Sequence, residues 1–295
     1  MSAKKPPATL AIIGGSGAFR LIKAVSFGKV ANVRKVSTPF GAVSGIKKVS
    51  VRGMEFYFLS RHGLKGYNIA APFVNYRANI WALKSLGVER IISWSGPGII
   101  NPGFEVGEFA VPDDIIDMTK SRPSTFYTKG GIGFIRMSEP FCPELRHALI
   151  YSASGRRAHV HEEATYVCTE GPRLETPAEI KLFHSYGADL VGMTLCPEAF
   201  LARELEICYA PLCYLVNYAE GLVVREYLQG VLFEGMATDE EKDRGDRAME
   251  MMPDIIIDAL SVMESQPRDC QCKNAMSRYR KQGIIGKDWR KWIDP

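Results

Sequence analysis

The chain has 295 residues, of which 46% are hydrophobic and 24% charged, enough for one large α/β domain with a sizeable core. No run of about eighteen apolar residues occurs, which excludes a membrane-spanning helix. The net charge of +4 is concentrated at one end: from Lys273 onward the surplus is five, so the rest is about −1 and makes a poor nucleic-acid-binding body.

The start, Met1–Pro7, is charged, but no long apolar segment follows it. No secretory signal is expected, and the cytoplasm is the expected compartment. Leu10-Ala11-Ile12-Ile13 reads as a buried first strand entering Gly14-Gly15-Ser16-Gly17. Met54 to Ser60 is a second strand, ending at Arg61-His62-Gly63. Val74 to Leu86 has helical spacing through Val74, Ala78, Trp81 and Ala82, with Gly87 placed to stop it.

Ile91-Ile92-Ser93-Trp94 then runs into Ser95-Gly96-Pro97-Gly98. Pro177 suits the first turn of a helix that continues from Ala178 to Tyr186. Leu190-Val191 leads to Gly192-Met193-Thr194, and Pro197 opens a helix through about Glu206. Cys208 to Val216 reads as a strand delivering Asn217-Tyr218-Ala219, and Glu240 to Met263 as the last long helix. Three regions follow: a tail over 1–9, one domain over 10–265 and a basic tail over 266–295. The last is expected to order only against another subunit. Strand-like runs alternating with helices favour an α/β domain with a largely buried sheet.

Seven cysteines form no obvious metal set. Cys142, Cys168, Cys196, Cys208 and Cys213 sit in apolar surroundings, as free thiols do. Cys270-Gln271-Cys272 lacks the second pair that a zinc site needs, so no metal is expected; a tail disulfide stays open.

The polar clusters fall where strands give way to loops, the place where open α/β sheets bind ligands. Gly14-Gly15-Ser16-Gly17 lets backbone approach an anion, although it is neither a Walker loop nor a full dinucleotide fingerprint. Arg61 can grip phosphate in a bidentate manner and His62 adds a donor or proton shuttle. Ser16, Arg61 and Thr194 would form a phosphate cage if the fold unites them. A carboxylate at Glu175 accepts from the N1–H of a 6-oxopurine and is left unpaired by adenine. The Asn217 amide can accept from a protonated N7 and donate to O6, stabilising the departing base. The plainer readings are Glu175 as a helix-start charge and Asn217 as a strand-end turn residue.

These residues lie in stretches that resemble the trimeric purine nucleoside phosphorylase and methylthioadenosine phosphorylase family. The matching motifs are Ile12–Gly17, Ser60–Gly63, Val74–Lys84, Asn101–Glu108, Glu139–Arg146, Glu170–Thr176, Gly192–Glu204 and Val216–Ala219, within a resemblance spanning roughly Leu10 to Met263. The resemblance implies a single α/β domain with a mixed, barrel-like central sheet flanked by helices. It also implies a homotrimer or a dimer of trimers; the charge distribution and hydropathy above add that no nucleic acid or membrane partner is expected. The implied reaction is reversible phosphorolysis of a purine nucleoside, with inorganic phosphate as co-substrate and no metal or organic cofactor.

Carried over by motif, Ser16, Arg61, His62 and Thr194 would hold phosphate, with Ser95 or the Gly96 amide nearby. Met193 would lie against the sugar. Glu175 and Asn217 would hold the base, with Ala219 beside them, and Asn217, Glu175 and His62 would act in catalysis. Methylthioadenosine phosphorylases typically carry a small hydroxyl residue in place of Glu175 and Asp-x-Asp in place of Asn217-Tyr218-Ala219. The pattern here therefore resembles the 6-oxopurine branch, including methylthioinosine phosphorylases.

Two departures touch the phosphate and sugar region. Pro97 removes a backbone donor from a loop that is usually Asn-Ala-x-Gly-Gly-like. The histidine usual after Arg61-His62-Gly63 is missing, with Tyr67-Asn68 nearby. The alternatives are a methylthioadenosine phosphorylase, hydrolysis with water in place of phosphate, and a catalytically weak relative serving as a binding or assembly subunit. The pocket for the 5′ substituent is expected partly from residues after Glu220.

Overall fold

A computed structural model describes residues 9–15, 17–18, 28–63, 67–224 and 238–293. In chain order its strands are β1 (Leu10–Gly14), β2 (Lys29–Asn32), β3 (Val36–Thr38), β4 (Gly41–Val43), β5 (Lys47–Val51), β6 (Met54–Ser60), β7 (Arg90–Ser95) and β8 (Gly98–Ile99). They continue as β9 (Phe109–Ala110), β10 (Asp114–Met118), β11 (Val160–His161), β12 (Thr165–Thr169), β13 (Leu190–Gly192), β14 (Cys208–Tyr214) and β15 (Asn217–Tyr218).

Eight strands form one mixed sheet in the order β11-β9-β14-β7-β1-β6-β5-β2, and five form a second in the order β10-β12-β13-β8-β15. The centre of the large sheet is parallel, with β1 between β6 and β7 and β14 beyond β7. Every residue of β1, β7 and β14 is buried, which is why these segments read as continuous apolar runs rather than alternating ones.

Two connections carry the chain from the large sheet to the small one. β7 ends at Ser95 and β8 begins at Gly98; β14 ends at Tyr214 and β15 begins at Asn217. β8 and β15 then pair in parallel, with Asn217 opposite Gly98. The strand expected from Cys208 to Val216 thus ends at Tyr214, because the chain changes sheets there and pairs again only from Asn217.

The expected helices form at Tyr76–Ser85, Pro177–Ser185, Glu198–Glu204 and Asp239–Glu264. The Asn75 side chain accepts from Ala78 N–H and so starts the first of them later than the apolar spacing suggested. Thr176 and Glu179 form a reciprocal capping box on the second, with Pro177 in its first turn. Glu179 therefore fills the helix-start role that was the plainer reading of Glu175.

The chain after Pro267 corrects the expectation of a tail ordered only by another subunit. Cys270, Cys272, Met276, Tyr279, Ile285, Trp292 and Ile293 are buried and belong to the main core. Arg280 holds Glu206 through both guanidinium Nη atoms at 2.7 and 2.8 Å. The thiol reading is corrected as well. The Sγ atoms of Cys142, Cys208, Cys270 and Cys272 lie within 4.8 Å of one another, so the pair missing from the local sequence comes from residues far away in the chain. Among the described residues, no helix is long and apolar enough to cross a membrane.

Candidate active site

The sheet registers line up the motif residues. Gly14 stands opposite Ser60, and Cys213 opposite Ser95, at the C-terminal ends of parallel strands. In the small sheet Cys168 stands opposite Gly192, and Gly98 faces Val191 on one side and Asn217 on the other. The Ser95 and Tyr166 hydroxyls, 3.3 Å apart, join the two sets of strand ends. Gly192 makes this contact feasible, because a Cβ there would overlap the Tyr166 hydroxyl.

On the anion side, Gly15 closely approaches β7; a Cβ on it would stand 2.7 Å from the Trp94 carbonyl and 3.5 Å from Arg61 Nη1. Ser16, the hydroxyl of this loop, lies outside the described residues. Ser95 and Thr194 are buried, while Gly96 is exposed. Pro97 is buried and its carbonyl accepts from Val216 N–H at 3.3 Å, so this residue helps tie β8 to β15.

Arg61 differs from the sequence expectation. Its Nε and Nη2 donate to the two oxygens of Glu198 at 3.0 and 2.6 Å, Nη2 also to Ser93 Oγ at 2.7 Å, and Nη1 to the Trp94 carbonyl at 3.1 Å. Four of five N–H groups are taken, and its backbone N–H donates to the Gly14 carbonyl. A bidentate grip on phosphate by this guanidinium is therefore corrected: a buried cation needs a fixed counter-charge, and Glu198 supplies it. Burial opposes the charge, but the Glu198 carboxylate more than offsets this and holds the guanidinium above its ordinary pKa. Tyr209 Oη donates to the same carboxylate at 2.7 Å.

His62 is buried, with Nδ1 2.8 Å from the Ile69 carbonyl. A carbonyl only accepts, so the hydrogen sits on Nδ1. Burial, then the neighbouring Arg61 charge, push the imidazole down to about 4 despite that carbonyl. His62 is thus neutral near pH 7, and Nε2 bears a lone pair. Of the two roles expected of this side chain, a donor or a proton shuttle, the bond to Ile69 leaves Nε2 as an acceptor. Tyr67 lies against its ring at a tilt of 32°, with centroids 4.3 Å apart.

The carboxylate of Glu175 is buried and accepts from Thr169 Oγ1, the last residue of β12. Met193 follows β13 and its Sδ lies against Gly171, whose φ of 66° suits glycine; a Cβ there would overlap the sulfur. The loops Glu170–Thr176 and Met193–Thr194 are therefore in contact. Asn217 is buried, and its Nδ2 donates to the Tyr218 carbonyl at 2.8 Å, leaving Oδ1 and one N–H for other partners. Ala219 is buried in the small-sheet core beside Val191 and Ile180. A Cβ on Gly221 would come within 2.8 Å of Pro177, so the chain after Asn217 meets the helix that follows Glu175.

Sequence reasoning missed Arg122. Its side chain is 1% exposed and donates to the carbonyls of Thr169, Glu170, Met193 and Cys196 and to Tyr76 Oη. It thereby fixes the loop before Glu175 against the loop containing Met193 and Thr194. Glu198 and Thr169 were missed in their roles as well, although both lie in or beside quoted motifs. A charged residue in an otherwise apolar stretch was the available signal; its partner, 137 positions away for Arg61 and Glu198, was not.

The Phosphorylase superfamily profile matches residues 9–261. The chain is 42% identical over 276 residues to a 6-oxopurine nucleoside phosphorylase of Pyrococcus furiosus, covering 90% of this chain and 97% of that one. It is 39% identical over 267 residues to a probable S-methyl-5′-thioinosine phosphorylase of Methanothermobacter thermautotrophicus, covering 90% and 88%. A crystal structure of a methylthioadenosine phosphorylase from an antarctic soil metagenomic library superposes with a TM-score of 0.80 at 33% identity, covering 93% of this chain and 92% of that one.

Proposed function

The chain belongs to the phosphorylase superfamily, and on that premise we propose that it catalyses reversible phosphorolysis of a 6-oxopurine nucleoside, giving the free base and a pentose 1-phosphate. The observation that carries this reading is Glu175. One of its oxygens is engaged by Thr169 in a buried setting, which leaves the other to accept from the N1–H of hypoxanthine or guanine. Adenine offers a lone pair there, so the buried carboxylate would stand unpaired against it. The similarity to relatives named 6-oxopurine and methylthioinosine phosphorylases points the same way.

Asn217 holds the other edge of the base, accepting from N7–H through Oδ1 and donating to O6, and so stabilises the negative charge moving onto the purine. Phosphate lies beneath the sugar, held by Ser16, the Ser95 and Thr194 hydroxyls and the exposed Gly96 amide. There it stabilises the positive charge developing at C1′. His62, neutral with a free lone pair on Nε2, accepts a hydrogen bond from the phosphate's remaining hydroxyl and orients that oxygen away from C1′. Arg61 supports this loop through Glu198 rather than touching phosphate. Met193 lies against the sugar, and Ala219 closes the base site.

Turnover requires phosphate but no redox or organic cofactor in this scheme. Exposed Phe73, Phe134 and Tyr151 suit burial between copies of the chain in a trimer or a dimer of trimers. The test is purine release from inosine, methylthioinosine and methylthioadenosine, each with and without phosphate. Phosphate-dependent release of hypoxanthine, with methylthioadenosine untouched, is the expected result. Cleavage of methylthioadenosine alone would overturn the base-site assignment, and release without phosphate would mean hydrolysis.

A further inference from the structure

Far from the strand ends that form the candidate site, four thiols converge. Cys142 precedes the helix Pro143–Gly155, with its N–H bonded to the Tyr209 carbonyl. Cys208 is the first residue of β14, its N–H bonded to the Glu89 carbonyl. Cys270 and Cys272 flank the start of the turn Gln271–Asn274. All four are buried, at 1%, 0%, 7% and 2% exposure, and their sulfurs lie mutually within 4.8 Å. We infer that this quartet is a structural zinc site that fastens the C-terminal segment to the core.

The geometry suits one tetrahedral ion. Four sulfurs at about 2.3 Å from zinc stand roughly 3.8 Å from one another. The hydrogen-bonded pair Cys208 and Cys270, at 3.3 Å, is well beyond the roughly 2.05 Å of a disulfide. The charge also balances. Zinc displaces the thiol protons and leaves four thiolates around a dication, a centre of net charge −2. Two arginines donate directly to these sulfurs, Arg203 Nη1 to Cys272 at 3.2 Å and Arg268 Nε to Cys208 at 3.1 Å. Such N–H donors to sulfur are the outer partners that a buried thiolate site requires. Soft thiolates in a tetrahedral set select zinc over hard cations.

The four positions are filled by protein, so the ion is closed to substrate and structural. Cys208 opens β14 whereas Ser95 and Tyr214 stand at its far end, roughly 20 Å away over a seven-residue strand. Loss of the ion should therefore reduce heat resistance without changing the chemistry at the strand ends.

The test is metal analysis and intact mass of the full chain purified anaerobically without chelator. About one zinc per chain is expected. Cys272→Ser and Cys142→Ser should each lose it and melt at lower temperature, with kcat/KM on nucleoside kept within about twofold below the melting range. Should those variants fail to accumulate, the wild-type chain is heated with and without a chelator; a chelator-dependent drop in melting temperature with release of one zinc is then expected. A metal-free chain lighter by four thiol hydrogens would show two disulfides and overturn the proposal. So would a metal-free chain with four reactive thiols, or iron in place of zinc.

Discussion

Arg61 and Glu198 face each other in a two-pronged pair at 3.0 and 2.6 Å, with their side chains only 0% and 1% exposed. The pair unites the end of β6 with the helix Glu198–Glu204, and Ser93 and Tyr209 complete it. The gross attraction of two such charges is largely consumed by their desolvation, so the pair fixes geometry more than it adds stability. Removing one partner is different, since it strands the other charge in the core. Glu198→Ala should lower stability by about 3–5 kcal/mol in urea unfolding at fixed protein concentration. It should also raise the KM for phosphate, because the loop carrying His62 loses its support. An unchanged unfolding midpoint would remove the pair from this role.

Asn217 carries the largest expected effect on chemistry. In the proposed scheme its amide meets the base where negative charge accumulates, and one well-placed donor of this kind is worth roughly 3 kcal/mol in the barrier. Asn217→Ala should lower turnover on inosine on the order of a hundredfold, with the circular dichroism of the folded protein retained. Wild-type turnover in this variant would exclude the assigned role.

Arg122 is a positioning residue: it binds carbonyls of both loops that carry Glu175 and Met193 rather than any reacting atom. Lysine has three donors on a single nitrogen and cannot span four carbonyls. Arg122→Lys should raise the KM for nucleoside on the order of tenfold through loosened loop geometry. The KM for phosphate should stay near the wild-type value. Parallel changes in both constants, or none, would contradict a role confined to the base and sugar loops.

Glu204 gives a pH dependence with a definite sign. Burial pushes its carboxyl up to about 7, against the lowering effect of Phe126 N–H and the Thr125 hydroxyl. Between about pH 4.5 and 7 the folded chain keeps a proton that the unfolded chain has lost. The contribution is fully present below the unfolded pKa and is lost as pH rises through 7, a swing on the order of 3 kcal/mol. Thermal unfolding across this window should show a smaller fall for Glu204→Gln than for the wild type. Identical slopes would assign the dependence to other groups.

The sequence by itself determined the buried strands β1, β6, β7, β13 and β14 and four of the helices, because apolar runs, capping residues and proline positions act over a few neighbouring residues; the short strands, such as β8, β9 and β15, carry too few residues to show a pattern. Thr176, Pro177 and Glu179 specify the start of their helix wherever it packs. The motifs also marked Glu175, Met193, Thr194 and Asn217 at strand ends, and the resemblance they carry covers most of the chain. The tertiary structure decided which partners those groups meet. It committed Arg61 to Glu198, made His62 an acceptor through Ile69, tied two loops to Arg122, and gathered Cys142 and Cys208 around Cys270 and Cys272. Each of these depends on which strands lie side by side after parallel crossovers. Local spacing does not encode that pairing, since a buried charge or thiol finds its partner through packing of the whole sheet.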